Sequence, residues 1–310
     1  MQRRLMLKLL RGSYPHGLLF VILSAISWGL AGGFASLLML KEWDPIVIAN
    51  YQGLIGLILL FGCLIFNKNE KKISLSLVAW SILAGIGLSG GWGLYFVSIS
   101  NTNLAVATTL VYTAPLFVFF ISAILKTERI TIYKFLALIF ISLGIILLTG
   151  IHKTQLSSIH PWGIISGLLA GLSYAILIFS LKYGSEKGNL LIILNLAFLI
   201  NSLILMLFAD KQQFIEVLHS YDIWWFILLG FIGGGPSFIL YVTGLKNVSP
   251  AVASIVAIFE PVTASLFGVI ILNEYLTAVQ AIGMIIILLT ITILSYGSVK
   301  QNGNSVPSDE

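Results

Sequence analysis

Ten stretches of roughly 20 residues, almost free of charge, follow one another with short connections: 17–40, 46–66, 77–99, 104–125, 132–150, 161–181, 190–208, 223–244, 250–272 and 278–297. Twenty residues of helix rise about 30 Å, the thickness of a bilayer's hydrocarbon core. Backbone in lipid must satisfy its own hydrogen bonds, which leaves only helices and closed barrels. A barrel would alternate apolar and polar residues in segments of about 10, and these runs do not alternate. Charged residues are only 9 % of the chain, against about 25 % in a soluble domain. That is too few to cover a water-facing surface, and too apolar a chain for disorder. The sequence therefore specifies an all-α polytopic membrane protein with ten transmembrane helices and the lipid bilayer as solvent.

The basic residues set the orientation. With the N-terminus in the cytoplasm, 14 of the 17 lysines and arginines fall on the cytoplasmic side, and only Lys41, Lys153 and Lys211 fall outside. A bias of that size over short loops orients a membrane protein, and losing one span would invert every later loop. Both termini are expected in the cytoplasm, in a cytoplasmic (inner) membrane. The net charge of +5 is explained by these flanking residues, so no nucleic-acid partner is expected. Arg3, Arg4, Lys8 and Arg11 precede the first run as in a signal peptide, but that run is too long and lacks a small-residue cleavage site. The expected layout is a basic cytoplasmic segment over 1–16, five helices over 17–150, five over 161–297, and a disordered tail over 298–310.

The two sets of five are copies. A shift of 146 residues, without a gap, brings Asn101 onto Asn247, Ala105-Val106-Ala107 onto Ala251-Val252-Ala253, and Pro115 onto Pro261. It also pairs Glu128 with Glu274, Thr131 with Thr277, Tyr95 with Tyr241, Gly87 with Gly233, and Ser27-Trp28 with Ser173-Tyr174. Five is odd, so the copies enter the membrane from opposite sides: two inverted five-helix repeats. Secondary transporters use this construction, with the substrate site near the midplane between the repeats.

One residue stands out chemically. Of the twelve acidic residues, only Glu260 falls deep inside a span. Acids at that depth are costly and mark ion or substrate paths. No Lys or Arg lies in the middle of any span, so a proton or a substrate ammonium is the natural counterpart of its charge. Pro115 and Pro261 are expected to kink the fourth and ninth helices and free backbone carbonyls near the midplane. Gly233-Gly234 and Pro236 suggest a hinge in the eighth. Trp28, Tyr95, Tyr112, Tyr174 and Tyr241 are candidates to line a pocket. Asn50, Gln52, Asn195 and Asn201 are expected to hydrogen-bond between helices, with Asn50 and Gln52 also candidates for the substrate site. Trp43, Trp80, Trp162, Trp224 and Trp225 read as an interfacial belt, and Glu128 and Glu274 as helix-end residues at opposite faces.

The second copy reads Tyr241, Leu245, Ser249-Pro250-Ala251, Ala253-Ser254, Pro261, Leu272, Glu274, Gln280 and Gly283; the first carries Tyr95, Ala105, Ala107, Pro115, Glu128 and Gly144. In order, spacing and duplication this resembles the drug/metabolite transporter superfamily, in particular its EamA-type ten-helix members. The resemblance implies a 5+5 fold and secondary transport of small metabolites, commonly export of amino acids or related compounds. One departure is that Asn50-Tyr51-Gln52 stands where many relatives carry an arginine, so a fixed cation for carboxylate substrates is missing.

Other functions fit poorly. An intramembrane enzyme needs a nucleophile–base pair or metal ligands at depth, and no His, Asp or Lys lies deep in a span. His16, His152, His160 and His219 are scattered, so no metal is expected, nor any cofactor. The single cysteine, Cys63, excludes an internal disulfide. No G-x-x-x-x-G-K-[ST] pattern occurs, so ATP is not expected as a partner. The expectation is alternating-access transport, by an exporter of small molecules such as amino acids or amines with protons as coupling ion. The alternative is a passive facilitator or a flippase for lipid intermediates.

Overall fold

The computed structural model describes residues 2–67, 73–102, 104–126, 131–151, 160–273 and 275–304. Glu128 and Glu274 lie outside the described residues. Polar side chains start many of the helices. Asp44 accepts from the backbone N–H of Ile46 and Val47, both at 2.9 Å, with Pro45 in the first turn behind it. Ser74, His160, Asn189 and Ser249 cap the helices that follow them. In each case a short polar side chain satisfies a donor that the first turn leaves open.

The helices are α1 (Gln2–Leu40), α2 (Pro45–Phe66), α3 (Leu75–Asn101), α4 (Leu104–Val111), α5 (Ala114–Ile124), α6 (Ile132–Thr149), α7 (Pro161–Ser185), α8 (Leu190–Phe208), α9 (Lys211–Glu216), α10 (Ile223–Gly233), α11 (Gly235–Leu245), α12 (Pro250–Val256), α13 (Phe259–Ile271) and α14 (Ala278–Asn304). Among the described residues, nine segments are long and apolar enough to cross a membrane, and Ala278–Leu294 supplies a shorter tenth. Large apolar side chains such as Ile58, Phe120, Phe140 and Leu207 stand exposed on the outside of the bundle. On a soluble protein they would form an unacceptable apolar surface; here lipid covers them.

Three expected spans are not continuous. The fourth is divided into α4 and α5 around Tyr112-Thr113, the eighth into α10 and α11 at Gly234, and the ninth into α12 and α13 around Ala257-Ile258. The expected kinks at Pro115 and Pro261 are in fact interruptions. Each proline falls in the first turn after the break, where its missing N–H costs nothing. Glu260 N–H bonds back to the Ala257 carbonyl at 3.0 Å, three residues away, as the chain restarts. The ends also differ from expectation: α1 begins at Gln2, and residues 298–304, expected in a disordered tail, continue α14.

The packing displays the repeat. α1 lies against α10, α11 and α13, while α7 lies against α3, α4 and α5. α2 pairs with α8, and α6 with α14. Each repeat thus hands its first helix to the other. Individual contacts follow the 146-residue register. A Cβ on Gly17 would stand 2.8 Å from Asn247 Cβ, and one on Gly163 would stand 2.9 Å from Asn101 Cβ. Likewise Gly87 abuts Leu177, and Gly233 abuts Ala31. Small residues at these crossings let backbones approach closely, which drives helix association in lipid.

Candidate functional site

Glu260 is the second residue of α13, immediately after the break in the ninth span and beside Pro261. Its neighbours come from the other repeat and from α7. The carboxylate lies within electrostatic reach of the hydroxyls of Tyr95 on α3, Tyr112 at the α4–α5 break, and Tyr174 on α7. Tyr95 shares a 2.9 Å hydrogen bond with the hydroxyl of Thr108 on α4. The Trp92 indole lies near the Tyr174 hydroxyl. A carboxylate, three phenols and an indole therefore share one electrostatic neighbourhood, and Trp92, Tyr95, Tyr112, Tyr174 and Glu260 are all only partly buried.

Close backbone approach builds this cluster. A Cβ on Gly91 would meet the Tyr174 ring at 3.0 Å. One on Gly171 would meet the Thr113 hydroxyl at 2.9 Å and the carbonyls of Leu110 and Val111 at 3.1 Å, so α7 rests on the α4–α5 break. On the other side, a Cβ on Gly29 would fall 2.5 Å from the Glu260 carbonyl, so α1 rests on the start of α13.

A second aromatic group stands where the repeat places it. Trp28 has ring centroids 5.0 Å from Phe238 and 4.9 Å from Tyr241. The shift of 146 carries Trp92, Tyr95 and Tyr174 onto Phe238, Tyr241 and, in reverse, Trp28. The Trp28 indole donates to the Ser237 hydroxyl at 3.0 Å, and Ser237 donates to the Gly234 carbonyl at 2.8 Å. Gln52 donates to the neighbouring Gly233 carbonyl at 3.1 Å. The expected hinge at Gly233, Gly234 and Pro236 is thus a break held by side chains of α2 and α11. Pro236 lies in the first turn after it.

The asparagines depart from expectation. Asn50 and Asn201 are fully buried, and neither finds a hydrogen-bond partner among the described residues. Asn195 donates back to Leu191 on its own helix at 2.7 Å. Only Gln52 makes the expected bond between helices. An amide one turn from its partner is drawn to its own backbone, and helix rotation decides which amides face across an interface. Trp43 is no belt residue either: it is buried, edge-on to Phe226, and donates to Asp222 at 3.0 Å. Trp162 and Trp224 remain exposed.

Asp222, just before α10, also accepts from Lys41. Lys41 as hydrogen-bond donor, with Trp43, holds the Asp222 carboxyl below its ordinary range. Gln213 adds a bond to the Asp44 N–H at 2.7 Å, and Tyr51 donates to the Phe214 carbonyl at 2.7 Å. These contacts tie the α1–α2 corner of one repeat to the α8–α10 connection of the other. Thr108, Ser237 and Asp222 were not legible as site residues; the first could have been found by pairing it with Ser254 through the repeat.

Comparison with known proteins identifies the architecture. The description of the EamA-like transporter family matches the chain twice, over residues 15–150 and 161–296. The chain is 25 % identical over 280 residues to the uncharacterized transporter YoaV of Bacillus subtilis, covering 86 % of this chain and 94 % of that one. It is 26 % identical over 300 residues to the uncharacterized inner membrane transporter YicL of Salmonella typhimurium, covering 93 % and 97 %. A solved structure described only as the crystal structure of a protein superposes with a TM-score of 0.72 at 17 % identity, covering 92 % of this chain and 98 % of the other.

Proposed function

This chain belongs to the EamA-like transporter family, and on that premise we propose that it exports small amines or amino acids across the cytoplasmic membrane in exchange for protons, by alternating access. The observation that carries the reading is the convergence of Tyr95, Tyr112 and Tyr174 on the Glu260 carboxylate. An ionised carboxylate in the membrane interior is expensive. It becomes neutral by taking a proton or by pairing with an ammonium, and one carboxylate cannot do both. The repeats then reorient only with Glu260 neutralised. A proton entering from one side and a cationic substrate leaving from the other share the same group, which couples the two flows.

The aromatic groups complete the site chemically. Phenol and indole faces attract cations, and the tyrosine hydroxyls offer hydrogen bonds to an ammonium or to a second polar group of the substrate. Gln52 is neutral, so it supplies no fixed cation to attract a carboxylate. Both termini face the cytoplasm in this reading, following the 14-to-3 division of basic residues.

The test is transport in proteoliposomes enclosing a pH-sensitive dye. An outward gradient of a quaternary amine should acidify the lumen, because each amine that leaves is exchanged for an entering proton, and an outward gradient of a dicarboxylate should not. Equal transport of dicarboxylates, or amine movement without proton movement, contradicts the proposal.

A further inference from the structure

The 146-residue register that matches Tyr95 to Tyr241 also matches Thr108 to Ser254. The two hydroxyl pairs are in different conditions. Tyr95 and Thr108 stand 2.9 Å apart and join α3 to α4. The Tyr241 hydroxyl is fully buried and has no hydrogen-bond partner among the described residues. Ser254 is buried on α12, and its hydroxyl is turned back to its own Ala251 carbonyl at 2.9 Å.

Elsewhere the two copies pack alike, although α4 lies against α3 while α12 has little contact with α11. Gly17 meets Asn247 as Gly163 meets Asn101, and Gly87 meets Leu177 as Gly233 meets Ala31. The register is therefore a property of the packing as well as of the sequence. The difference between the hydroxyl pairs is a difference in state between two copies of one arrangement. α4 and α12 are short, with 8 and 7 residues, and each is separated from the rest of its span by a break. Either segment can shift without dragging the remainder of its span. A buried phenol hydroxyl without a partner is costly and rare, so a state that pairs it recovers energy lost elsewhere.

We infer that Tyr95–Thr108 and Tyr241–Ser254 are two copies of one latch that close alternately, the first in the state seen here and the second in the state facing the other side. Thr108 and Ser254 are then positioning residues for the transport cycle, acting through the tyrosines. In inverted repeats, reorientation exchanges the conformations of the two copies, so breaking one latch makes the other. The hydrogen bond lost and the hydrogen bond gained are alike, which keeps the two states near each other in energy. The inference rests on the alternating-access reading above, but not on the substrate proposed there.

Hydrogen exchange followed by mass spectrometry on the full chain in lipid nanodiscs tests this without any substrate. Tyr95→Phe and Tyr241→Phe keep the rings and remove one hydroxyl each. Tyr95→Phe should speed exchange in α4 and slow it in α12, each by about fivefold, the population shift expected for one hydrogen bond. Tyr241→Phe should do the reverse in both segments. Thr108→Val should act like Tyr95→Phe, Ser254→Ala like Tyr241→Phe, and Thr108→Ser like the unaltered chain. Changes confined to the substituted helix, changes of the same sign in α4 and α12, or no change at all would overturn the inference. A chain that moves no amine can still show this reciprocity, so its failure and the failure of the substrate assignment are separate results.

Discussion

The Gln52 side chain reaches from α2 to the Gly233 carbonyl, 3.1 Å away, and caps the end of α10 from a neighbouring helix. The Ser237 hydroxyl does the same for the Gly234 carbonyl from one turn into α11, while accepting from Trp28. In lipid a carbonyl released by a helix break needs such a partner, because no water replaces the lost bond. The break in the eighth span is thus fixed by its neighbours, and any movement there must be shared with α1 and α2.

The tightness of that junction has a measurable consequence. A Cβ on Gly233 would lie 2.3 Å from Ala31 Cβ and 2.7 Å from the Gln52 amide nitrogen. Gly233→Ala should therefore destabilise the protein by about 1–3 kcal/mol, the usual range for overpacking. Gly62 has no atom within 4 Å of the same added carbon. There, Gly62→Ala should stabilise by about 0.5–1 kcal/mol through lower backbone entropy. Thermal unfolding in detergent should give a lower midpoint for the first variant and an equal or higher one for the second.

A second prediction concerns acid stability. Asp222 is held below its ordinary pKa of 3.8, first by the hydrogen bond from Lys41 and then by that from Trp43. A carboxyl depressed in the folded state contributes stability above its unfolded pKa and loses it as pH falls through the folded value. The contribution is present at neutral pH and fades below about pH 4. The pair is at a surface, so its worth is about 1 kcal/mol or less. Asp222→Asn should lower the unfolding midpoint slightly at pH 7 and by less near pH 3, as the contribution fades toward the depressed folded value. An equal loss at both values would show that packing, and not charge, is what the substitution removes.

Sidedness is the third. Cys63 is the only cysteine and is exposed, so Cys63→Ser gives a clean background for labelling. Ser308→Cys should react with an impermeant thiol reagent only from the cytoplasmic side, and Ser158→Cys only from the opposite side. The reverse pattern would invert the topology and with it the assigned direction of transport.

The sequence carried the large features for physical reasons. Lipid allows few backbone arrangements, so ten apolar runs could be read as spans, and Pro, Asn and Tyr recur at one shift because the duplicated packing needs them. Pro115 and Pro261 announced interruptions without locating them; the chain parts at Tyr112-Thr113 and Ala257-Ile258, one turn upstream, where proline can begin a helix. Partners were the illegible part. Ser237 looks like any small polar residue in an apolar run, and the residue that bonds to it, Trp28, is 209 positions away. Asn50 looked like an interhelical donor and has no partner among the described residues, because its rotation about α2 is set by packing that no local pattern records. Glu260 was legible as the lone deep acid, but its surrounding tyrosines were scattered over three other spans and only the fold assembles them.

The most direct test is Glu260→Gln, which keeps the shape and hydrogen bonding of the side chain and fixes it neutral. Purified protein should elute and unfold as the unaltered chain does. In proteoliposomes with an imposed pH gradient, the variant should move amine no faster than empty vesicles at any pH from 5.5 to 8.5, a window of about one to two units either side of neutrality in which proton exchange is useful to a transporter. Glu260→Asp should retain part of the rate. A well-folded Glu260→Gln protein with an unaltered rate and pH profile would contradict the account, and would make Glu260 a structural residue with the coupling located elsewhere.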